Sequence, residues 1–400
     1  MTYLDHAATT PMRPEALAAF TAALALTGNA SSLHASGRRA RRVVEESREA
    51  LAGVLGARPS DVIFTGGGTE SDNLALKGLF WERRAAAPAR RRVLVSAVEH
   101  RAVLDTVAWL GAQQGAEVEL LEVDAAGMVH PDTLEAALAR DPDSVAVVSV
   151  MWANSEVGTV QPVSRLAAVA HRHGVPFHTD AVQAFGQIPV AVDAGAEGPD
   201  AITISAHKVG GPVGVGALVV RRGLAMQPLT HGGGQERDIR SGTLNTAGVA
   251  AFAAAATAAC AQAPNEGPRL AALRDDLVRR VQEQVPGATL NGPPLAELPG
   301  GPRRLPGNAH ITFPGCEGDS LLMLLDARGI ECSTGSACSA GVARPSHVLL
   351  AMGASEDHAR SSLRFSLGHT SRAADVDALV EAIGPVAERA GRAGALAGRR

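Results

Sequence analysis

Aromatic side chains are scarce in this 400-residue chain: they make up 3% of it, and only one is a tyrosine. A core for a chain of this length must therefore be built from alanine, valine and leucine. Basic residues are not in excess either. The 37 lysines and arginines are outnumbered by 41 acidic residues, and the net charge of −4 argues against a non-specific nucleic-acid binder.

Cysteine is also rare, with four in the whole chain. So few cysteines favour a reducing compartment over a disulfide framework. Residues 1–6 do not combine a basic region with a hydrophobic one, so we expect no secretory signal. No apolar run reads as long enough to span a membrane. Together these absences predict a soluble cytoplasmic enzyme without a membrane or nucleic-acid partner.

Strand-like and helix-like patterns alternate over residues 60–220. Short apolar runs at 93–96, 145–151 and 201–204 are typical of buried strands. The alternation predicts an α/β fold with a mostly parallel sheet and helices on both faces. Residues 292–308, rich in proline and glycine, are typical of a linker.

The remaining patterns divide the chain into parts. We predict a large domain over 15–262 and a smaller α+β domain over 263–400, with the N-terminal segment 1–14 associated with the smaller domain. A buried helix is predicted over 245–261, and the alanine- and arginine-rich end at 390–400 is expected to fray.

Lys208 lies where an apolar run ends and a glycine-rich turn begins, close to Ser205 and His207. Its primary amine suits a Schiff base with an aldehyde cofactor, and the neighbouring hydroxyl and imidazole suit a phosphate. A solvated lysine at a strand end is the alternative. Because other segments supply what a pyridoxal phosphate (PLP) lysine needs, we favour the cofactor interpretation.

Several polar residues follow predicted strands. Residues 66–69, Gly-Gly-Gly-Thr, open a helix with free N–H groups and a hydroxyl, which suits an anion. Asp180 suits a pyridinium nitrogen, and Asn154 and Gln183 suit the phenolic oxygen of the same ring. His100 could stack on that ring and move protons. Each has a structural alternative, such as a helix cap, but together they favour a cofactor site.

Cys338 lies among small residues between Gly335 and Gly341. Structural thiols more often lie among bulky apolar side chains, so Cys338 is expected to be presented for chemistry. Cys332 and Cys338 do not form a CxxC motif, and no matching cysteine pair lies nearby in the sequence. We therefore predict no metal site.

Seven motifs occur in order along the chain, and together they resemble those of the cysteine desulfurases, PLP enzymes of the class-V aminotransferase group. The resemblance is to the type with a long catalytic loop that serves iron–sulfur cluster assembly and nitrogenase maturation. It implies the PLP-dependent transferase fold type I and covers nearly the whole chain. The motifs occupy residues 3–11, 65–71, 205–208, 232–236, 240–243, 335–338 and 364–368.

The resemblance also implies roles for particular residues. Lys208 would carry PLP, Cys338 would take the sulfur of L-cysteine, and His100 would stack on the ring. A homodimer is implied, together with an acceptor or scaffold protein that receives the sulfur, and Cys338 could transiently ligate an iron–sulfur cluster. The implied phosphate ligands are Gly68, Thr69, Ser205, His207 and, from the second subunit, Thr243; the ring contacts are Asn154, Asp180 and Gln183; the substrate contacts are Asn154 and Arg364.

Two departures from the family pattern affect fine contacts. Residues 209–213 lack the usual aromatic residue and lysine, and residues 66–68 replace a Ser-Gly-Ala pattern. Two other functions stay open: another PLP enzyme of this fold, such as an aminotransferase or selenocysteine lyase, and a non-catalytic sulfur-assembly scaffold. Cys338 argues against an aminotransferase, and the set of Lys208, Asp180 and His100 argues against a scaffold. The acceptor pathway stays open among iron–sulfur clusters, tRNA thiolation, and DNA or metabolite sulfuration.

Overall fold

The computed structural model describes residues 1–192, 198–296, 303–335 and 345–397, with side chains through residue 392. The strands in these ranges are β1 (Thr2–Tyr3), β2 (Val62–Thr65), β3 (Arg92–Ser96), β4 (Glu117–Leu121), β5 (Val145–Ser149), β6 (Thr159–Val160), β7 (Phe177–Asp180), β8 (Ala201–Ser205), β9 (Gly216–Val220), β10 (Thr289–Leu290), β11 (Arg303–Arg304), β12 (Asn308–Thr312), β13 (Ile330–Glu331) and β14 (Ser362–Ser366). The α-helices are α1 (Pro14–Leu24), α2 (Ala35–Leu55), α3 (Gly68–Ala86), α4 (Arg101–Gln114), α5 (Pro131–Ala139), α6 (Val163–Arg172), α7 (Thr246–Gln284), α8 (Gly318–Asp326), α9 (His347–Ala351), α10 (Glu356–Arg360) and α11 (Ala373–Ala397).

Seven strands form the large sheet, in the order β2-β9-β8-β7-β5-β3-β4. The pairs from β8 to β4 are parallel, whereas β9 is antiparallel to both of its neighbours. β9 reverses because residues 206–215, which join it to β8, are too few for the helical crossover that parallel neighbours need. The prediction of a mostly parallel α/β sheet is confirmed.

Side chains alternate between the two faces of this sheet. In β2, Phe64 packs into a core with α2 and α7, and Ile63 packs into a second core with α3 and α4. β9 repeats the pattern, with Val219 in the first core and Leu218 in the second. Both faces are therefore buried, as a parallel sheet requires, and small aliphatic side chains make up most of the two cores.

A smaller antiparallel sheet, β10-β12-β14, belongs to the C-terminal part of the chain. Its core combines Phe313 and Phe365 with residues of α8, α11 and the second half of α7, and it also contains Leu4. β1 pairs in parallel with β13, so the chain start is joined to this part. α7 passes through the predicted boundary at 262/263 without a break, so two-domain division at that point stays a prediction.

Two helices differ from the sequence expectations. α7 is long and apolar enough to cross a membrane, which the sequence analysis did not foresee, and it is the single such helix in the described ranges. Half of its most apolar stretch is buried, and Ala251 and Ala255 pack beside α2. Buried core helices pass the same test, so this is weak evidence for a span. α11 continues to Ala397, through most of the end that was expected to fray; residues 398–400 lie outside the described ranges.

The topology brings several polar strand ends to one edge of the large sheet. β7 ends at Asp180 and β8 at Ser205, and β2, which runs the same way, ends at Thr65. Ligands of open α/β sheets bind at the carboxyl ends of the strands. We therefore expect a functional site at this edge of the sheet.

Candidate active site

A cavity of about 450 Å³ lies at this edge, a size suited to a cofactor with a small substrate. Its walls come from the large sheet, the N-terminal segment and the C-terminal part of the chain. Most of the residues predicted for the site line it: Gly68, Thr69, His100, Asp180, Gln183, Ser205, His207, Lys208 and Arg364.

One wall suits an anion. α3 begins there at Gly68, and the preceding Gly67 has φ of 149°, a conformation that favours glycine. A Cβ on Gly68 would lie 3.0 Å from Val182 Cγ2, so this turn approaches its neighbours closely. Ser205 and His207 share the wall. Burial, with the charge of the neighbouring lysine, lowers the pKa of His207 to about 4, so its ring is a neutral hydrogen-bonding group.

Lys208 ends a single helical turn that follows β8. Its Nζ donates hydrogen bonds to the carbonyl oxygens of Ala7, at 2.6 Å, and Ala8, at 2.7 Å. Burial, together with the charge of Arg364, lowers the pKa of Lys208 to about 8, and nearby carboxylates oppose the shift. Much more of this amine is therefore neutral near physiological pH than in an exposed lysine, and the neutral form is the nucleophile and base.

Asp180 lies at the end of β7 and is 5% exposed. Its Oδ1 accepts a hydrogen bond from the N–H of Val182 at 2.8 Å. Burial raises its pKa, while His100 and Lys208 pull the pKa down. Gln183 follows on the same wall, where its Nε2 donates to the carbonyl of Ala7 at 2.8 Å.

Two buried acids in the walls were missed by the sequence analysis. Burial, and then the charge of Asp180, raise the pKa of Asp72 well above its usual value. Burial also raises the pKa of Glu99 to about 8, although Ser96 and the N–H of Met151 each donate to it at 2.6 Å. Asp72 lies one helical turn after the start of α3, and Glu99 directly precedes His100. Their positions next to predicted site residues could have identified them from the sequence.

Two histidines also line the cavity. His100 caps α4, where its Nδ1 accepts from the N–H of Ala102 at 3.1 Å, so its proton lies on Nε2 when the ring is neutral. Burial lowers its pKa and Asp180 opposes this shift. His347, which was not predicted, donates from Nε2 to the carbonyl of Glu99 at 2.9 Å and lies close enough to His100 to influence it.

Arg364 is a buried cation in the wall formed by β14, and it is 5% exposed. Its guanidinium donates to Asp5 Oδ1 at 2.8 Å and to the carbonyl of Ser155 at 2.9 Å. Its Nε has no hydrogen-bond partner among the residues that the structure describes. A buried guanidinium with a spare donor is suited to a carboxylate ligand.

Asn154 does not reach the cavity wall. Its Nδ2 donates to the carbonyl of Val98, and its Oδ1 accepts from the N–H groups of Glu156 and Val157, each at 2.9 Å. The amide is fully buried and is used by the turn after β5. The expected contacts of Asn154 with the ring and the substrate stay a prediction; in this structure the amide holds the turn.

Two further predicted site residues are not among those that line the described walls. Thr243 is exposed and does not line the cavity of its own chain. Cys338 lies outside the described residues. However, Gly335 and Pro345, which flank the segment 336–344, both line the cavity.

Cys332 is a half-buried thiol that packs against the core of the smaller sheet. Burial, reinforced by Asp5, raises its pKa to about 12, so it stays a thiol at neutral pH. A thiol is a poor nucleophile. Across the described ranges, no group of three or more histidine, cysteine and acidic side chains is placed to hold a metal ion.

The donor set of the cavity fits pyridoxal phosphate. The first turn of α3 suits the phosphate, Asp180 suits the ring nitrogen, and Lys208 suits the aldehyde. These features and the sheet define a PLP enzyme of fold type I. The chain belongs to the aminotransferase class-V family, whose sequence model matches residues 2–379. This family depends on PLP, and the resemblance drawn from the motifs is confirmed.

Similar proteins cover nearly the whole chain. The IscS-like cysteine desulfurase of Mycobacterium tuberculosis is 56% identical over 393 residues, which is 98% of each protein. The cysteine desulfurase IscS of Dictyoglomus turgidum is 42% identical over 97% of this chain and 94% of that protein. The solved structure of a NifS-like protein superposes with a TM-score of 0.87 at 33% identity, covering 97% of this chain and 100% of the other.

Proposed function

We propose that this protein is a cysteine desulfurase that converts L-cysteine to L-alanine and carries the released sulfur as a persulfide on Cys338. The observation that supports this most is the convergence in one cavity of Lys208, Arg364 and the two residues that flank 336–344. The activity named for the relatives above supports the same reaction.

Different residues of the cavity bind the substrate and transfer its protons. Arg364, with its spare Nε donor, binds the carboxylate of L-cysteine. Lys208, as a neutral amine, removes the α-proton. When bound, PLP supplies an electron sink for the resulting charge. Asp180 keeps a proton on the ring nitrogen, and the neutral imidazole of His207 hydrogen-bonds the phosphate without adding a positive charge.

Cys338 is the sulfur acceptor in this proposal. It follows Gly335 by three residues, so an extended chain lets it reach at most about 11 Å from the cavity wall. Its thiolate attacks the substrate sulfur, so that an S–S bond forms as the C–S bond breaks and the bonding electron pair stays on the substrate carbon. Protonation of that carbon, and return of a proton from Lys208 to the α-carbon, complete alanine, and the persulfide remains on the enzyme.

The persulfide then passes to an acceptor or scaffold protein, in a homodimer that we place in the cytoplasm. Thr243 supports the dimer, because it is exposed and off its own cavity. Near the N-terminus, four exposed leucines are apolar side chains of the kind that a subunit interface can cover: Leu17, Leu24, Leu26 and Leu33.

The test uses the purified protein with bound PLP and L-cysteine, without a keto-acid co-substrate. We expect alanine release, and an intact mass increased by one sulfur atom that a thiol reductant removes. Cys338→Ser should bind PLP normally and yet form neither alanine nor the sulfur adduct.

Cys332→Ser is the matched control, since the Cys332 thiol is buried and protonated; it should keep most of the activity. Alanine release by Cys338→Ser at the normal rate would replace the proposal with a lyase that forms no enzyme persulfide. Alanine formation that requires a keto acid would indicate an aminotransferase.

A further inference from the structure

A chain of buried polar side chains runs through the smaller sheet behind the cavity. On β12, His310 is fully buried, and its Nδ1 accepts a hydrogen bond from Asn291 Nδ2 at 3.0 Å. Asn291 Nδ2 also donates to Thr312 Oγ1 at 2.8 Å. On α10, His358 donates from Nε2 to Asn291 Oδ1 at 2.8 Å. The Asn291 amide thus has its nitrogen towards His310 and its oxygen towards His358.

This network fixes the tautomer of His310. An amide nitrogen can only donate, so Nδ1 of the ring carries no proton. Burial, with the charges of Arg364 and Arg304, lowers the pKa of His310 to about 3, and the ring is neutral. The single ring proton therefore lies on Nε2. That N–H makes no hydrogen bond of normal geometry among the described residues, which is uncommon for a buried donor.

The Nε2 edge of His310 faces the end of the described chain before Cys338. A Cβ added to Gly335 would lie 3.0 Å from His310 Nε2 and 3.2 Å from Cδ2. Gly335 has φ of 82°, so both its backbone and this ring require glycine. The carbonyl of Thr334 is close enough to offset part of the lowering of the pKa of His310. The donor is thus directed at the peptide between Thr334 and Gly335.

The strand register explains why this contact matters. His310 is opposite Arg364 in the β12–β14 ladder, and Arg364 is bridged in turn to Ser333. Ser333 Oγ accepts from the N–H of Gly335 at 3.0 Å. Residues 333–335, which precede the segment with Cys338 and are called its root here, therefore lie beside Arg364. His310 contacts this root from the buried side.

We propose that His310 is a positioning residue: its Nε2–H fixes the peptide between Thr334 and Gly335 and so sets the direction in which the segment with Cys338 leaves the sheet. This inference rests on the proposed function of Cys338. His310 does not line the cavity, so it acts through the root of the segment and not on the substrate.

Two substitutions separate the donor from the rest of the network. His310→Asn places an amide oxygen near the position of Nδ1, where it can accept from Asn291, and removes the donor at Nε2. His310→Gln reaches further and can place an amide N–H near the position of Nε2, while it loses the acceptor for Asn291. The positioning role predicts that Asn is the more damaging change, although it preserves the network better.

The first measurement is hydrogen exchange of the amides of Thr334 and Gly335 in the protein without PLP. We expect exchange to be about tenfold faster in His310→Asn and close to wild type in His310→Gln. The second is steady-state kinetics with L-cysteine. Because only the nucleophile is displaced, kcat should fall about tenfold in His310→Asn, while KM stays within about twofold.

The exchange measurement does not depend on any activity, so it can fail or succeed separately from the desulfurase proposal. Equal exchange in wild type, His310→Asn and His310→Gln would overturn the positioning role. A larger effect of Gln than of Asn in both measurements would also overturn it, since that result assigns His310 to the network alone. A rise in KM with unchanged kcat would indicate that His310 supports Arg364 instead.

Discussion

At the scale of single residues, burial sets the protonation states on which the chemistry depends. Lys208, Asp180, Asp72 and Glu99 share one cavity, and in each of them burial favours the neutral form. The charge of Asp180 adds to the cost of ionising Asp72 and holds the pKa of Asp72 well above its usual value, whereas His100 and Lys208 oppose the rise in the pKa of Asp180. Asp180 is therefore the acid of the two that is suited to the nitrogen of the cofactor ring.

Covalent attachment of PLP to the cofactor-free protein should follow the protonation of Lys208. Burial lowers the pKa of this amine to about 8 from 10.5, so the attachment rate should rise as pH increases through about 8 and then level off. Between these two values the unfolded chain binds the proton and the folded chain does not, so this group adds stability as pH rises there. Absorbance stopped-flow experiments across this range measure the rate, and an increase that continues towards 10.5 would contradict the shift.

Asp180→Asn should weaken PLP binding by about a hundredfold, because a buried charge is removed from its partner. Asp72→Asn is the matched control: it makes the same change in the same cavity, but at the carboxyl whose pKa burial and the charge of Asp180 hold well above its usual value. We expect little change in PLP affinity for Asp72→Asn. Equilibrium titration with PLP compares the two variants, and equal losses would show that Asp72 is ionised too.

At the scale of elements, a buried ion pair joins the large sheet to the glycine-rich segment that contains Thr243. Arg48 of α2 and Glu236 form two hydrogen bonds, at 2.7 and 2.8 Å, and the side chain of Glu236 is fully buried. Glu236 also accepts from the N–H of Phe64 in β2 at 2.9 Å. The motif at 232–236 is thereby tied to the strand that leads into the anion turn.

Glu236→Ala should reduce the free energy of unfolding by about 3–5 kcal/mol, because it leaves Arg48 as an uncompensated buried charge. Removing both charges, with Arg48→Met and Glu236→Leu together, should restore much of the loss. Glu283→Ala is the control: it breaks an exposed pair with Arg279 and should cost below about 1 kcal/mol. Urea denaturation measures all three, and equal effects of the two alanine variants would contradict a structural role for the buried pair.

At the scale of the whole molecule, the proposed homodimer concerns the phosphate side of the cavity. Gly68, Thr69, Ser205 and His207 form the described anion wall, while Thr243 of the same chain is exposed elsewhere. A second subunit that supplies Thr243 would complete the wall. In this proposal the homodimer is a requirement of the site and not only a means of covering apolar surface.

Mixing two inactive or weakened variants tests this arrangement. In a mixed dimer of Lys208→Ala with Thr243→Ala, exchange of Thr243 between subunits places both defects in one cavity and leaves the other intact. We expect mixed dimers, formed by co-expression with two affinity tags, to regain about half of the wild-type activity. If Thr243 served its own chain, both cavities would carry a defect, and activity would not exceed that of Thr243→Ala.

The elements and the principal site positions could be read from local patterns. β8 and β7 are short apolar runs, and Lys208 and Asp180 follow them directly, so their place at one sheet edge is a consequence of parallel strand order. The antiparallel direction of β9 and the full length of α7 were not foreseen. A short connection decides the first, and the second half of α7 is stabilised because Leu270, Leu277 and Val281 pack into the core of the smaller sheet.

The sequence by itself determined the family, the fold class and the residue types at the strand ends, because periodicity and motif spacing are local properties of a chain. Only the tertiary structure decided which polar groups meet and how they are charged. The side chain of Asn154 hydrogen-bonds within its own turn. The raised pKa values of Asp72 and Glu99, and the contact of His310 with Gly335, depend on segments that are far away in sequence. A pKa and an unpaired donor depend on that surrounding packing, which no short stretch of sequence contains.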